Sequence, residues 1–376
     1  MQKNFFITGG TGLVGLYMLP RILRTWPNAG ITLLVRGEHD DAVAERIAGI
    51  ADDIRTTEGI PDTRARITGV RGDVALGRLG LSDNQWKQIA ATATHIIHGA
   101  ATIRFDHPID EARAINCGGT QRMLELATTC TRLERFIYIG SSSVSGRRAG
   151  AIYEHELEMG QTFFNTYEQS KCESERLVRN RFGDIPAVVF RPSIIIGDSR
   201  TGRTTSFNVI YIPLRLVQKG MLTYVPGTPA TRMDLVPIDW VDDAMVYIMK
   251  QEESVGKVFH ITAGPSRAAT LEEVVIMARE YFDRHTPLRQ PRTMEFITRE
   301  EFERRRATMR GREEALMAQL DTLLPYVSID RLFDSANADR LLQRSGIVFP
   351  QFRDYAEKIF GYCVRTNWGR REDNED

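Results

Sequence analysis

The chain has 376 residues, 42% apolar and 26% charged, a mixture that can bury a core and excludes the disordered and collagen-like classes. Its 49 Lys plus Arg balance 49 Asp plus Glu, so overall charge points neither to a nucleic-acid partner nor to a polybasic membrane anchor. Cys117, Cys130, Cys172 and Cys363 form no C-x-x-C pair and the histidines no H-E-x-x-H, so neither a disulfide framework nor a metal site is expected.

Short β-branched and aromatic runs alternate with longer helical patterns. Strands are expected at 5–8, 31–35, 67–70, 95–98, 136–139, 187–190 and 258–262. Helices are expected at 13–24, 40–54, 109–130, 167–181 and 238–250, each long enough to cross over a parallel sheet. The class is therefore α/β: a Rossmann-type doubly wound parallel sheet with a smaller, mostly helical C-terminal region. Pro20 falls inside the first helix, where it costs about 3 kcal/mol, so a kink is expected there. After Pro192 the alternation loosens into a Pro/Gly-punctuated stretch through Pro237, the place for a substrate-facing insertion.

From Thr298 the chain is strongly charged, and Phe302, Met309, Leu316, Leu320 and Leu323 recur at near-heptad spacing, which reads as one amphipathic helix. Arg304, Arg305, Arg306, Arg310 and Arg312 interleave there with Glu300, Glu301, Glu303, Glu313 and Glu314. A salt-bridged, solvated face is the default reading; docking of an acidic carrier protein or of coenzyme A phosphates competes with it. The apolar residues before Gly9 are too few for a signal-peptide core, and the best internal apolar stretch, 187–197, is broken by Arg191 and Pro192. A cytoplasmic protein without stable membrane insertion is expected.

Thr8-Gly9-Gly10-Thr11-Gly12-Leu13-Val14-Gly15 follows the first strand and opens a helix. Gly9, Gly12 and Gly15 sit where a backbone turns tightly, approaches a pyrophosphate and packs on the sheet. An ordinary Gly-rich loop is the competing reading, and the position after the first strand favours dinucleotide binding. At the end of the second strand, where NAD-preferring proteins place a carboxylate for the ribose, this chain has Arg36. Its guanidinium fork suits a 2′-phosphate, so NADPH is expected, with Arg46 a second contact.

Tyr167 and Lys171 lie one helical turn apart. A neighbouring ammonium favours phenolate and lowers the tyrosine pKa, which suits the pair for proton transfer at a carbonyl. Upstream, a strand ends in Gly140-Ser141-Ser142-Ser143, hydroxyls that can hold the same oxygen. Capping of the following turn suits Ser142 and Ser143 better than Ser141.

The glycine pattern, the Ser strand and the Tyr/Lys helix, in this order, resemble an extended short-chain dehydrogenase/reductase. Asp73 and Val74 resemble that family's adenine-contacting loop. His98, Gly99, Ala100 and Ala101 resemble its cofactor-lining fourth strand, Asn116 the Asn of its central helix, and Pro192, Ser193 and Ile194 its nicotinamide-side segment. Counting back from Gly146, the family's catalytic Ser/Thr falls on Ser141. The run from His98 to Asp106, H-G-A-A-T-I-R-F-D, is similar to that of fatty acyl-CoA reductases and of male-sterility and thioester-reductase domains, as is Phe333-Asp334-Ser335-Ala336-Asn337. The chain is shorter than the eukaryotic fatty acyl-CoA reductases.

The resemblance implies NADPH-dependent reduction of an acyl thioester, on coenzyme A or an acyl carrier protein, by Ser141, Tyr167 and Lys171, to an aldehyde or onward to an alcohol. Residues 1–192, completed by about 235–263, would bind the cofactor, and 193–234 with 264–376 the substrate. Phe163, Phe164, Phe207 and Tyr211 are candidates for an acyl pocket or simply core. Sugar-nucleotide epimerases/dehydratases and hydroxysteroid-type dehydrogenases use the same scaffold, and a non-catalytic NADPH-sensing regulator is a reading of another class. The intact triad weighs against the regulator, and the A-A-T-I-R-F run against the sugar enzymes.

Overall fold

The computed structural model describes residues 2–370 apart from 291–292, 312–313, 315–319, 321–323 and 328. Seven strands, β1 (Asn4–Thr8), β2 (Gly30–Val35), β3 (Ile67–Arg71), β4 (His95–His98), β5 (Arg135–Ile139), β6 (Ala187–Pro192) and β7 (Lys257–Ile261), form one sheet. All its pairings are parallel, in the order β7-β6-β5-β4-β1-β2-β3. The chain winds outward from β1 to β3, then returns to the other side of β1 at β4. Such a reversal opens a crevice at the carboxyl ends of the strands, where ligands bind in sheets of this kind.

The principal helices are α1 (Leu13–Thr25), α2 (Asp40–Glu58), α3 (Asp83–Thr92), α4 (Ile109–Thr129), α5 (Thr166–Arg179), α6 (Tyr211–Gln218), α7 (Ile238–Met249), α8 (Leu271–His285), α9 (Arg299–Thr308), α10 (Ala336–Leu342) and α11 (Phe352–Arg365). The sheet is covered on both faces, which explains why its strands read as continuous apolar runs. Phe5 and Ile7 join a core with Met18 and Leu19 of α1 and Val241 and Ala244 of α7. Phe6, between them, points the other way, into a core with Met123 and Leu126 of α4. A third core, distinct from both, is built by α6, α8 and α11 around Leu214, Val274, Phe282 and Phe360.

Pro20 leaves its helix continuous, and the charged helix is shorter than expected. The helix containing Pro20 runs unbroken from Leu13 to Thr25, and the Arg21 side chain donates to the Tyr17 carbonyl at 2.8 Å beside the proline. The charged helix from Thr298 ends after ten residues at Thr308: Met309 is extended and Gly311 adopts a left-handed φ of 63°. The near-heptad pattern thus crosses a break, because Met309 turns into the third core. Leu316, Leu323, Arg312 and Glu313 lie outside the described residues. On α9, Arg304 and Arg305 both pair with Glu301, and Arg305 also with Glu295.

The segment after β6 is less regular. Ile194–Ile196 pairs with Leu235–Pro237, and Tyr224–Pro226 with Glu295–Ile297. Gly150–Ile152 pairs with Arg331–Phe333, tying the late part of the chain to the loop that precedes α5. Among the described residues no helix is long and apolar enough to cross a membrane.

Candidate active site

A cleft of about 1410 Å³ runs along the carboxyl ends of the strands. Its floor is the turn between β1 and α1. Gly9 has φ 76°, and a Cβ there would lie 2.6 Å from the Gly99 carbonyl carbon after β4. A Cβ on Gly15 would lie 2.5 Å from both Gly10 Cα and the Gly9 oxygen. These two glycines let the turn close on itself and on its neighbour strand. Gly12 caps α1 without a side chain, and a Cβ on it would meet only the Gly9 oxygen, at 3.4 Å, before open cleft. The N-terminus of α1 thus opens on the cleft with no side chain at the Gly12 cap, which fits the pyrophosphate of a nicotinamide cofactor.

Thr8, Gly9, Gly12, Leu13, Val14 and Gly15 line this end of the cleft together with Gly99, Ala100 and Ala101. Arg36 and Arg46, both exposed, line it past β2, and Asp73 and Val74 beside β3. The Asp73 carboxylate accepts from the Ala75 amide at 2.9 Å, which fixes the loop. Pro192, Ser193 and Ile194 line the opposite side, where Ser193 donates to the buried Asp234 at 2.5 Å.

Two predicted residues do not line the cleft. His98 is buried between Thr8, whose hydroxyl is 2.8 Å from Nδ1, and Thr120, 3.1 Å from Nε2. Burial, reinforced by the Lys171 charge, pushes its pKa down to about 3, so the ring is neutral. Asn116 is also buried. Its Oδ1 accepts from the Thr102 amide at 2.8 Å, and its Nδ2 donates to the Thr102 carbonyl at 3.2 Å and to Ser170 Oγ at 2.9 Å. It clamps the loop after β4 onto α5.

Ser141, Tyr167 and Lys171 all line the same cleft. Ser141 sits at the end of β5, with its Oγ 2.8 Å from Ser143 Oγ and accepting from the Ser143 amide at 3.2 Å. Tyr167 stands in the first turn of α5, which Asn165 caps by accepting from Glu168 N. Burial raises the Tyr167 phenol above its ordinary pKa, a hydrogen bond with Ser141 lowers it in part, and Glu168 adds to the rise. The sequence had suggested the reverse shift, through Lys171. The Lys171 ammonium instead donates to the Ile139 carbonyl at 2.7 Å and lies 4.4 Å from the centre of the Tyr138 ring. Burial pushes the lysine down to about 7 against the opposing pull of Glu175.

Several further residues line or brace the site, and of these Phe105 falls within the run from His98 to Asp106 quoted from the sequence. Phe105 packs its ring 5.5 Å from that of Tyr167. Glu168, fully buried, accepts from Phe164 N and from the Tyr326 hydroxyl, both at 3.0 Å. The Arg331 guanidinium lies 5.2 Å from the Tyr326 ring and 5.5 Å from that of Phe164. Tyr326 and Arg331 themselves line the cleft, so the late segment is pinned to the first turn of the Tyr167 helix. Of the four aromatic candidates Tyr211 lines the cleft, and Phe207 packs edge-on against it at 5.4 Å.

Comparisons with known proteins fit this geometry. Residues 7–245 match an NAD-binding family model described as "Male sterility protein". The chain is 27% identical over 276 residues to the fatty acyl-CoA reductase wat of Drosophila melanogaster, covering 65% of this chain and 53% of that protein. It is 27% identical over 271 residues to the nonribosomal peptide synthetase asaC of Aspergillus flavus, covering 69% of this chain and 26% of that one. It thus spans about half and about a quarter of these relatives. The terminal R domain from the myxalamid PKS-NRPS biosynthetic pathway shares the fold, with a TM-score of 0.82 at 24% identity over 97% of this chain and 91% of that one. With most of the chain inside the family model, and with the glycine turn, the Ser141 strand end and the Tyr167 helix converging on one cleft, the protein belongs to the male sterility family of extended short-chain dehydrogenases/reductases.

Proposed function

We propose that the chain is an NADPH-dependent reductase of acyl thioesters, carried on coenzyme A or on a carrier-protein phosphopantetheine, with the aldehyde as first product. The observation that carries this reading is that two hydroxyls, those of Ser141 and Tyr167, line one cleft whose other end is the glycine turn. The names of the relatives, a fatty acyl-CoA reductase and nonribosomal peptide synthetases, support the substrate class.

When bound, NADPH supplies the hydride. The glycine turn would hold the pyrophosphate at the N-terminus of α1, and Arg36 would pair with the 2′-phosphate through its fork, with Arg46 as a second contact. Ser141 and Tyr167 donate to the thioester carbonyl oxygen as negative charge develops on it. Because burial holds the Tyr167 pKa up, the phenol keeps its proton at neutral pH and acts as the acid rather than as a standing phenolate. Lys171, in its cationic form, would hold the ribose and stabilise the charge Tyr167 acquires on giving up its proton. Collapse of the hemithioacetal then breaks the carbon–sulfur bond and releases the thiol. The same three side chains can serve a second reduction, of the aldehyde to the alcohol.

Turnover of the purified protein with acyl-CoA and with a UDP-sugar, each with NADPH and NADH, tests this reading. Acyl-CoA with NADPH is expected to give the highest kcat/KM; conversion of the UDP-sugar without thioester turnover would replace the reductase by the epimerase reading.

A further inference from the structure

A second, smaller cavity, of about 50 Å³, lies within the core formed by α6, α8 and α11. Leu214 and Val217 of α6, Val225, and Leu271, Val274 and Ala278 of α8 make up much of its wall, and every described side chain that lines it is apolar. It adjoins the cleft through shared backbone. Val209 and Ile212 line the cleft while Ile210 and Pro213 line the cavity, and Tyr326 and Val327 divide in the same way. At this junction Val209 has a φ of 47°. A β-branched residue rarely adopts that conformation, and such strain persists where surrounding packing enforces it, commonly at ligand-binding segments.

We propose that this cavity seats the terminal methylenes of the acyl chain whose thioester is reduced in the cleft, so that the acyl group is a plain hydrocarbon chain rather than a peptidyl one. The inference rests on the thioester-reductase reading and adds the chemistry of the acyl end. An apolar cavity offers water no partners and stays dry, and its size admits a few methylene-sized groups, the end of a chain and not its whole length. A peptidyl group entering it would leave its amides without hydrogen-bond partners. Each methylene removed from water strengthens binding about fourfold, enough for the cavity to select chain length.

The test is kcat/KM for a series from butyryl-CoA to hexadecanoyl-CoA, with folding of each variant checked by circular dichroism and NADPH binding. The wild-type protein is expected to favour its best chain over butyryl-CoA by at least about tenfold. Ala278→Phe, which fills the cavity, should remove most of that preference while leaving butyryl-CoA within about twofold. Leu214→Ala, which enlarges it, should move the optimum to longer chains, and it decides the matter if Ala278→Phe does not fold. Equal activity across chain lengths, equal loss on all of them in a folded Ala278→Phe, or an unmoved optimum in Leu214→Ala would overturn the cavity assignment while leaving the reductase reading in place. Absence of turnover with every thioester would overturn the reductase reading itself, and the cavity assignment with it.

Discussion

The two ends of the cleft are built by different means. At the cofactor end the geometry is a property of backbone: four glycines stand within seven residues of the turn, and at Gly9 and Gly15 a single added carbon would collide with main-chain atoms. At the other end, where we propose the substrate binds, it is a property of side chains brought together from far apart, as with Tyr326 donating to Glu168 across 158 residues. The first end tolerates no substitution at its key positions but needs few of them. The second is adjustable residue by residue, which suits a scaffold that keeps one cofactor site and varies its substrate.

Breaking the backbone end should have the largest effect. Gly15→Val puts a branched side chain where even a Cβ is 2.5 Å from the Gly10 and Gly9 backbone, so NADPH binding measured by fluorescence titration should fall beyond detection. Tyr167→Phe leaves that turn untouched. Its kcat is expected to drop about 10²- to 10⁴-fold, with NADPH affinity within about twofold of wild type. Arg36→Ala sits between these two in kind, since it removes a side-chain contact at the backbone end. The NADPH-over-NADH preference in kcat/KM should shrink about 10- to 100-fold, the range of a charge-assisted hydrogen bond.

A pH profile sharpens the contrast from the catalytic side. Because burial depresses Lys171 from its ordinary value to about 7, its cation is present below that pH and lost above it. With Tyr167 still protonated, kcat/KM should be level in mild acid and decline about tenfold per unit as pH rises through about 7. The same shift makes the lysine's contribution to stability rise between about 7 and 10.5, because over that range the unfolded chain holds a proton the folded chain does not. The smallest effect belongs to the substrate end. Tyr326→Phe removes one donor from a buried carboxylate and should lower Tm by a few degrees, with kcat changed by less than about threefold.

Much of the fold was legible for physical reasons that hold strand by strand. Phe5-Phe6-Ile7 is buried on both faces, and such runs announce a covered parallel sheet. The helix at 83–92 was missed although Ser82 and Gln85 form a capping box at its start, because its apolar positions are few. The long amphipathic helix was overread because a near-heptad pattern continues across Gly311, where the backbone turns left-handed. At the site, the motifs bring nearly all candidate side chains to one cleft; His98 and Asn116 belong to the same motifs yet turn inward, His98 bridging Thr8 of β1 and Thr120 of α4 and Asn116 holding the loop at Thr102. Glu168, Tyr326 and Arg331 were not legible, since nothing local marks a pair that only the folded chain brings together.

The central claim is that hydride transfer in this cleft is coupled to cleavage of a thioester. Simultaneous recording of NADPH absorbance and of free thiol, with an acyl-CoA substrate and wild-type or Tyr167→Phe protein, tests it most directly. Thiol release is expected in fixed ratio to NADPH consumed, one NADPH per thiol for aldehyde or two for alcohol, with both signals lost together in the variant. NADPH oxidation without thiol release, or thiol release independent of NADPH, would contradict it.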